Sequence, residues 1–385
     1  MSLEKLYGKL YRMQNTSNLR NLLALNLVQG FGPKRVKLLL QKFPDIDRIF
    51  NLSKSELKTI EGIGEATALA FLSFDNWDVV DKLLEATDKI NAKILTIVDE
   101  TYPDILKQIY DPPILLWYKG NINILKKPGV AVVGTRNATV YGKKITKKLS
   151  SELSKSGLCI FSGLAHGVDA QAHQTTIEEN GITVAVLGSG IDHIYPRQNI
   201  NLANAIFKSG GLIISEFPPG TKPDAVNFPV RNRIISGLSL GTLVIESGVK
   251  GGSIITAEIA LDQNREVFAV PHPIDSASGT GCNFLIKNGA KLVQTVDDIL
   301  EELPIDGNTP HMKSNVQEAL NSNWRDQELD QLSTKICELL EEKEYQIDLL
   351  ADKVGVSTSQ VLVTMLTLEM KDIVLQKAGK VFSLR

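Results

Sequence analysis

The chain is short of cysteine, of any surplus of charge and of long apolar runs, and each shortage narrows what it can be. Its three cysteines, Cys159, Cys282 and Cys337, stand far apart and in no ligand-like spacing, which excludes a disulfide framework and fits a reducing compartment. Cys159 falls inside an apolar run and is expected to be a small buried hydrophobe. With 42 basic against 44 acidic residues, the whole carries no electrostatic signature of a nucleic-acid binder, so any polyanion site has to be local. No apolar run approaches the roughly 18 residues that a membrane-spanning helix requires. The opening MSLEKLYGKLYRMQ puts charges where a secretory signal needs an apolar block. A cytoplasmic protein without membrane contact is expected.

Several chemistries are missing as well. Neither GTRNATVYGKK (134–144) nor GVKGGSIIT (248–256) ends in the Gly-Lys-Ser/Thr that a phosphate loop uses, and GSGIDH (188–193) lacks the third glycine of the dinucleotide fingerprint. His166, His173, His193, His272 and His311 show no metal spacing, so core or surface roles are expected for each. FSGLAHG lacks the glycine two residues before serine that would make Ser162 a nucleophile; its hydroxyl is expected to bond a phosphate instead. No cofactor and no metal are called for.

What is present is one device repeated six times: an apolar run that ends in Gly, Ser or a charged residue and is followed by a helical pattern. The runs are VAVVG (130–134), LCIFSG (158–163), VAVLGSG (184–190), LIISE (212–216), TLVIES (242–247) and EVFAVP (266–271). Strands apolar throughout belong to a parallel sheet covered by helices on both faces, and such sheets bind ligands beyond their strand carboxyl ends. With 385 residues and 43% hydrophobic content, a large core and two or three domains are expected. The fold class is therefore α/β, a Rossmann-like parallel sheet.

Four segments are expected. Residues 1–92 form a helical domain in which VQGFGPKRVKLLLQKF (28–43) and IEGIGEATALAFLSF (60–74) share a hydrophobic–Gly–hydrophobic–Gly opening. That opening resembles the helix-hairpin-helix of sequence-independent DNA binders and is equally a small packing module. Residues 93–303 hold the sheet, with Tyr102-Pro103 and Asp111-Pro112-Pro113 marking one or two edge strands. Residues 304–330 read as a linker. Residues 331–385 resemble a winged helix. With no basic residue between Ser357 and Met370, its second helix suits a protein contact better than a DNA groove.

The candidate site follows from the strand ends. Gly134, Thr135, Arg136, Ser162, Gly163, Gly188 and Ser189 close apolar runs; Tyr195, Arg197 and Asn199 follow in YPRQN; Arg231, Asn232 and Arg233 stand in FPVRNRIISG; Gly252 and Ser253 open a helix. The arginines and bare amides would make an electropositive pocket for a phosphate backbone, with Tyr195 or Phe228 offering a face to a base. Two positions apart on a helix, Arg231 and Arg233 diverge, so one is expected to face the ligand and the other to pair with an acid such as Glu216 or Glu246. Lys126, Lys127, Lys143, Lys144, Lys147 and Lys148 lie in a stretch, 121–151, that holds no acid, either a local polyanion surface or a solvated helix face.

Ordered blocks from Tyr102 to Val293 resemble the DNA-processing protein A family, DprA, also called Smf: YPDILKQIYDPPILLWYKG, VAVVGTRNATVYG, FSGLAHGVDAQAH, TVAVLGSGIDHIYPRQN, LIISEFPPG, FPVRNRIISGLSLGTLVIES, GGSIITAEIAL, REVFAVPHP and GCNFLIKNGAKLV. The resemblance implies a protein without catalytic activity that binds single-stranded DNA regardless of sequence and delivers it to the recombinase RecA in natural transformation, as a homodimer. It assigns Arg136 as the strand-end arginine and Arg197 as the basic residue after Tyr-Pro, where relatives often carry Lys. IISGLSL and IITAEIAL are candidate dimer faces that would serve equally as core.

Two other classes compete. SLGTLVIES (239–247) resembles the Gly-Thr-x-x-Glu stretch of phosphoribohydrolases acting on nucleoside monophosphates, which would make Glu216 and Glu246 a carboxylate pair. The preceding Pro-Gly-Gly of that family is replaced here by Ser236-Gly237-Leu238-Ser239-Leu240. A protein-interaction scaffold built on the winged helix is the third possibility.

Overall fold

The computed structural model describes residues 18–304, 325, 329–343, 345–370, 373–377 and 381–384. Most of the expected linker, the N-terminal MSLEKLYGKLYRMQ and His311 lie outside the described residues. The chain divides into two compact units, 1–305 and 306–385.

All six apolar runs are strands of one sheet. In chain order the strands are β1 (Lys93–Thr96), β2 (Leu115–Gly120), β3 (Gly129–Val133), β4 (Cys159–Ser162), β5 (Thr183–Leu187), β6 (Leu212–Ser215), β7 (Gly241–Val244), β8 (Glu266–Ala269) and β9 (Lys291–Leu292). They lie side by side as β1-β2-β6-β5-β4-β3-β7-β8-β9. From β6 to β9 every pairing is parallel. The proline-flanked segment adds β1 and β2 antiparallel at one edge.

Two helix layers explain why β3, β4 and β8 are apolar on both sides. On β3, Val130 and Val132 pack with Leu149 and Leu153 of the helix Val140–Lys155, while Ala131 and Val133 join the core on the opposite face. Ile160 and Phe161 on β4, and Phe268 and Ala269 on β8, divide in the same way. A side-chain period of two serves two cores at once.

The helical tandem at the front of the chain has the expected hairpins. Gly30 and Gly62 adopt φ of +81° and +80°, and Gly32 and Gly64 precede the helices Pro33–Lys42 and Glu65–Leu72. Phe31, Phe50, Phe71, Phe74 and Trp77 pack ring against ring beneath them. This layer is continuous with the sheet core. Trp117 on β2 donates its indole N–H to Thr87 Oγ1 at 2.9 Å, and the Lys37 ammonium donates to the carbonyls of Lys107 and Ile109.

The second unit is a winged helix with a core of its own. Its helices are Gln331–Glu342, Ile347–Val354 and Thr358–Met370, and its small sheet joins β10 (Tyr345–Gln346), β12 (Val381–Leu384) and β11 (Val374–Lys377) in that order. Ser357 Oγ accepts from the Gln360 backbone N–H, which caps the last helix. That helix shows solvent Leu362 and Val363 rather than cations. Among the described residues no helix is long and apolar enough to cross a membrane.

Candidate nucleic-acid interface

The chain runs outward from β3 in two directions, to β4, β5 and β6 on one side and to β7, β8 and β9 on the other. The crevice between β3 and β7 is therefore the topological switch point, where open α/β sheets bind ligands. A cleft of about 270 Å³ occupies it, lined after β3 by Gly134, Thr135 and Arg136, after β7 by Ser247 and Gly248, and from the helix Asn227–Gly237 by Phe228, Arg231 and Asn232. Gly252 and Ser253, which open the helix Gly252–Asp262, complete the wall.

Three features give the cleft its chemistry. Arg136 is exposed and lays its guanidinium 5.3 Å from the centroid of the Phe228 ring. Phe228 in turn lies 5.7 Å from the ring of Tyr195, which is 41% exposed. An exposed cation, a ring and a second ring thus form a row, while Arg197, two residues beyond Tyr195 in the chain, is exposed and does not line this cleft. The helix Gly252–Asp262 has no side-chain cap, so its first N–H groups and the positive end of its dipole open on the cleft.

Arg231 sits behind this row and is buried. Its Nη1 donates to the carbonyls of Gly163 (2.8 Å) and Val186, and its Nε donates to Asn232 Oδ1 at 3.1 Å. Burial pushes its pKa down to about 10, Asp169 opposes that shift and Arg136 adds to it; the guanidinium remains charged at neutral pH. Arg231 is a fixed positive charge in the floor of the cleft that also locks the ends of β4 and β5 together.

Arg233 points elsewhere, as two helical positions demand. Its Nε donates to Asp111 Oδ2 at 3.0 Å and its Nη2 to Glu216 Oε1 at 2.6 Å. Burial opposes its charge, but Glu216 and Asp111 outweigh burial and hold its pKa above the ordinary value. Of the two arginines, Arg231 faces the cleft and Arg233 is the one paired with an acid.

Several expected phosphate ligands are committed to the fold instead. Ser162 is fully buried, and its Oγ donates to the Val132 carbonyl at 2.7 Å. The Gly163 N–H is taken by Asp169 Oδ2 at 3.1 Å. Ser189 Oγ donates to the His193 carbonyl and Asn199 Nδ2 to those of Leu164 and Ala165. Ser253 Oγ donates to Ser247 Oγ at 2.7 Å. Gly188 lies beneath the Phe228 ring, so close that a Cβ would fall 2.8 Å from it. Of these only Ser253 lines the cleft, and the polar groups of the set already have partners or lie under a ring. Asp169 and Ser247 also line the cleft, which the sequence does not signal, because nothing in GVDA announces burial near Arg231 and nothing in an IES strand end announces a serine held by Ser253.

The carboxylate pair does not exist. Glu216 ends β6 and Glu246 follows β7, four strand spacings apart in the sheet order, or about 19 Å at ~4.8 Å per strand. Glu246 is fully buried, and its Oε2 accepts the Thr139 N–H at 2.9 Å, beside the N-terminus of the helix Val140–Lys155, where Thr139 Oγ1 also caps Gly142. An internal carboxylate thus fills the anion position of that helix. Among the described residues no group of His, Cys, Asp and Glu could hold a metal ion.

A doubly wound sheet, with arginines and an open helix N-terminus at its switch point and no phosphate loop, defines a Rossmann-like protein. Residues 93–304 match the family described as DNA recombination-mediator protein A, 22–72 and 55–98 a SAM-like helix-hairpin-helix tandem, and 325–380 the DprA winged helix domain. The chain belongs to the DprA/Smf family. It is 41% identical over 285 residues to protein Smf of Synechocystis, covering 73% of this chain and 71% of that protein. The X-ray structure of DprA from Streptococcus pneumoniae superposes with a TM-score of 0.65 at 35% identity, covering 75% of this chain and 99% of that one. DprA from Helicobacter pylori, whose structure is described as showing a single-stranded DNA binding mode, superposes with a TM-score of 0.50 at 29% identity, covering 55% of this chain and 94% of that one.

Proposed function

We propose that this protein binds single-stranded DNA without regard to sequence in the switch-point cleft and passes the strand to the recombinase RecA during DNA processing in natural transformation. The observation that carries this reading is the row Arg136–Phe228–Tyr195 beside an uncapped helix N-terminus. It offers a phosphate a cation and bare N–H groups, and offers a base an aromatic face. A cation, bare N–H groups and ring faces can all engage the phosphate and the π-face that every nucleotide shares, which suits indifference to sequence. The family membership and the printed description of the Helicobacter pylori relative support the same ligand.

The protein acts in this reading as a binder rather than an enzyme. Glu216 is neutralised by Arg233, and Glu246 is buried against Thr139, so neither is presented to a glycosidic bond. Pairing of two copies would place two short clefts on one strand and raise the effective concentration of the second. Of the candidate dimer faces, Ile234, Ile235 and Leu238 lie in the core, whereas Ile255 and Leu261 are exposed; the latter support a contact surface.

Fluorescence anisotropy with a labelled oligothymidylate tests the reading. Salt-sensitive binding is expected, weaker for duplex of equal length, and Arg136→Ala should remove most of it. Binding unaffected by Arg136→Ala would overturn the assignment. Release of free base from nucleoside monophosphates would instead establish the hydrolase.

A further inference from the structure

Two concavities meet at the turn Ala165–His166–Gly167. Ala165 lines the switch-point cleft, while Gly167 lines a second groove of about 470 Å³. Three helices build the rest of that groove. Lys143 enters it from the helix Val140–Lys155, Gln171 and Gln174 from the helix Val168–Glu178, and Gln198 and Asn201 from the turn and helix after β5. At one end a Cβ on Gly167 would strike the carbonyl oxygens of Thr135 and Arg136, so the groove starts beside Arg136. At the other end Gln198 is the chain neighbour of Arg197. Asn199 ties the two sides together through its hydrogen bonds to Leu164 and Ala165.

The lining is unusual for a protein with as many acids as bases. It contains no carboxylate and one cation, with side-chain amides supplied from several directions. Gln171 Nε2 donates to Thr175 Oγ1 at 3.1 Å and Gln174 Nε2 to Glu178 Oε1 at 3.0 Å, each one turn along its own helix. Both amides are thereby held in place, and among the described residues neither carbonyl oxygen receives a protein donor. Lys147 and Lys155 on the same helix as Lys143 are paired with Glu178 and Glu179, whereas Lys143 has no ion-pair partner among the described residues. Apolar lining is limited to Ala170, Leu202 and Ala205, too little to anchor a protein segment, for which buried apolar or aromatic anchors supply most of the binding energy.

We infer that this groove continues the path of the strand: single-stranded DNA leaving the Arg136 cleft crosses Gly167, places one phosphate on Lys143 and lies along the amides to Arg197. An amide both donates and accepts, so it bonds phosphate, sugar or any base edge without selecting one. Arg136 and Arg197 then grip opposite ends of one track instead of sharing one pocket. The inference rests on the reading that the cleft binds single-stranded DNA.

The full chain is titrated with oligothymidylates covering the ~4 to 16 nucleotides typical of single-strand sites, comparing wild type, the isosteric double variant Gln171→Glu with Gln198→Glu, and Lys143→Ala. The shortest strand that wild type binds should bind all three equally. For the longest, the double variant should lose about tenfold, and Lys143→Ala should reduce the salt slope by about 0.7, the share of one phosphate. Unchanged long-strand affinity and slope, with short strands still bound, would overturn the groove alone. If wild type bound no oligothymidylate, the cleft reading would fall first and the groove with it. Loss of recombinase capture with DNA binding intact would assign the groove to a protein and likewise overturn it.

Discussion

Gly163 and Arg231 occupy one another's space: a Cβ on Gly163 would stand 2.5 Å from the nearest guanidinium nitrogen of Arg231, and the Gly163 carbonyl accepts from that same group at 2.8 Å. A glycine at the end of β4 is what lets a charged side chain from a helix far along the chain lie flat on the strand end. The floor of the cleft depends on this contact, and its consequences separate residues that hold the site together from residues that meet the ligand.

Gly163→Ala should expel Arg231 from its seat. The displaced guanidinium leaves the Gly163 and Val186 carbonyls without their buried donor and removes a nearby positive charge from Asp169, a loss of about 1–3 kcal/mol for each buried acceptor left unpaired. Urea denaturation should show it as a lowered midpoint, and Arg231→Ala should behave in the same way while also weakening DNA binding.

Arg136→Ala should do the reverse. Exposed and stacked only on Phe228, Arg136 contributes little to the fold, so the urea midpoint should stay within about 0.5 kcal/mol of wild type. Affinity for oligothymidylate should drop, and the slope of log affinity against log salt should flatten by about 0.7 for one lost phosphate contact. An unchanged slope would show that Arg136 touches no phosphate.

Phe228→Leu should cost about 1–3 kcal/mol of DNA affinity if a base stacks there, with no change in salt slope. Binding isotherms at several salt concentrations separate the two effects.

Arg233→Gln should destabilise the protein and spare the ligand. It breaks the pairs with Asp111 and Glu216 and leaves a buried carboxylate uncompensated, which predicts a loss of about 3 kcal/mol or more in denaturation. DNA affinity measured on the folded fraction should match wild type, because Arg233 lies outside the cleft.

Acid should weaken the fold through His173. Its ring is fully buried, with Nδ1 2.6 Å from Thr183 Oγ1, and burial, helped by Arg231, lowers its pKa to about 3. The unfolded chain takes up a proton near the ordinary value of 6.5, while the folded protein does not. Stability therefore falls as pH drops below about 6.5, by up to about 1.4 kcal/mol per unit. His173→Asn should flatten the dependence of the urea midpoint between about pH 6.5 and 5, above the ordinary carboxylate range; Asp169 and Glu216, whose pKa burial raises, act in the opposite sense and are present in both proteins.

Much of this was legible in the chain. Six apolar runs with punctuated ends announce a parallel sheet, since only strands covered on both faces can be apolar at every position, and the strand ends announce the rim at which the switch-point cleft opens. Arg136 stands out because a glycine and a threonine precede it at such an end. The divergence of Arg231 and Arg233 follows from helical spacing alone, and so does the expectation that one of them meets an acid.

Other features were decided in space. Whether Ser162 faces solvent or core depends on strand register, and register aims its hydroxyl at Val132. Glu246 is a strand-end carboxylate in sequence, yet it serves as an anion for a helix whose first residue, Val140, lies over a hundred positions earlier. The amide groove joins residues from three helices that share no motif, and its position between Arg136 and Arg197 exists only because Gly167 folds against the carbonyls after β3. Local pattern determined which elements form and which edge of the sheet carries the chemistry, because periodicity and backbone conformation are properties of neighbours in the chain. Tertiary structure decided which polar groups remain available there, because a hydrogen bond to a distant carbonyl removes a side chain from the site as surely as burial does.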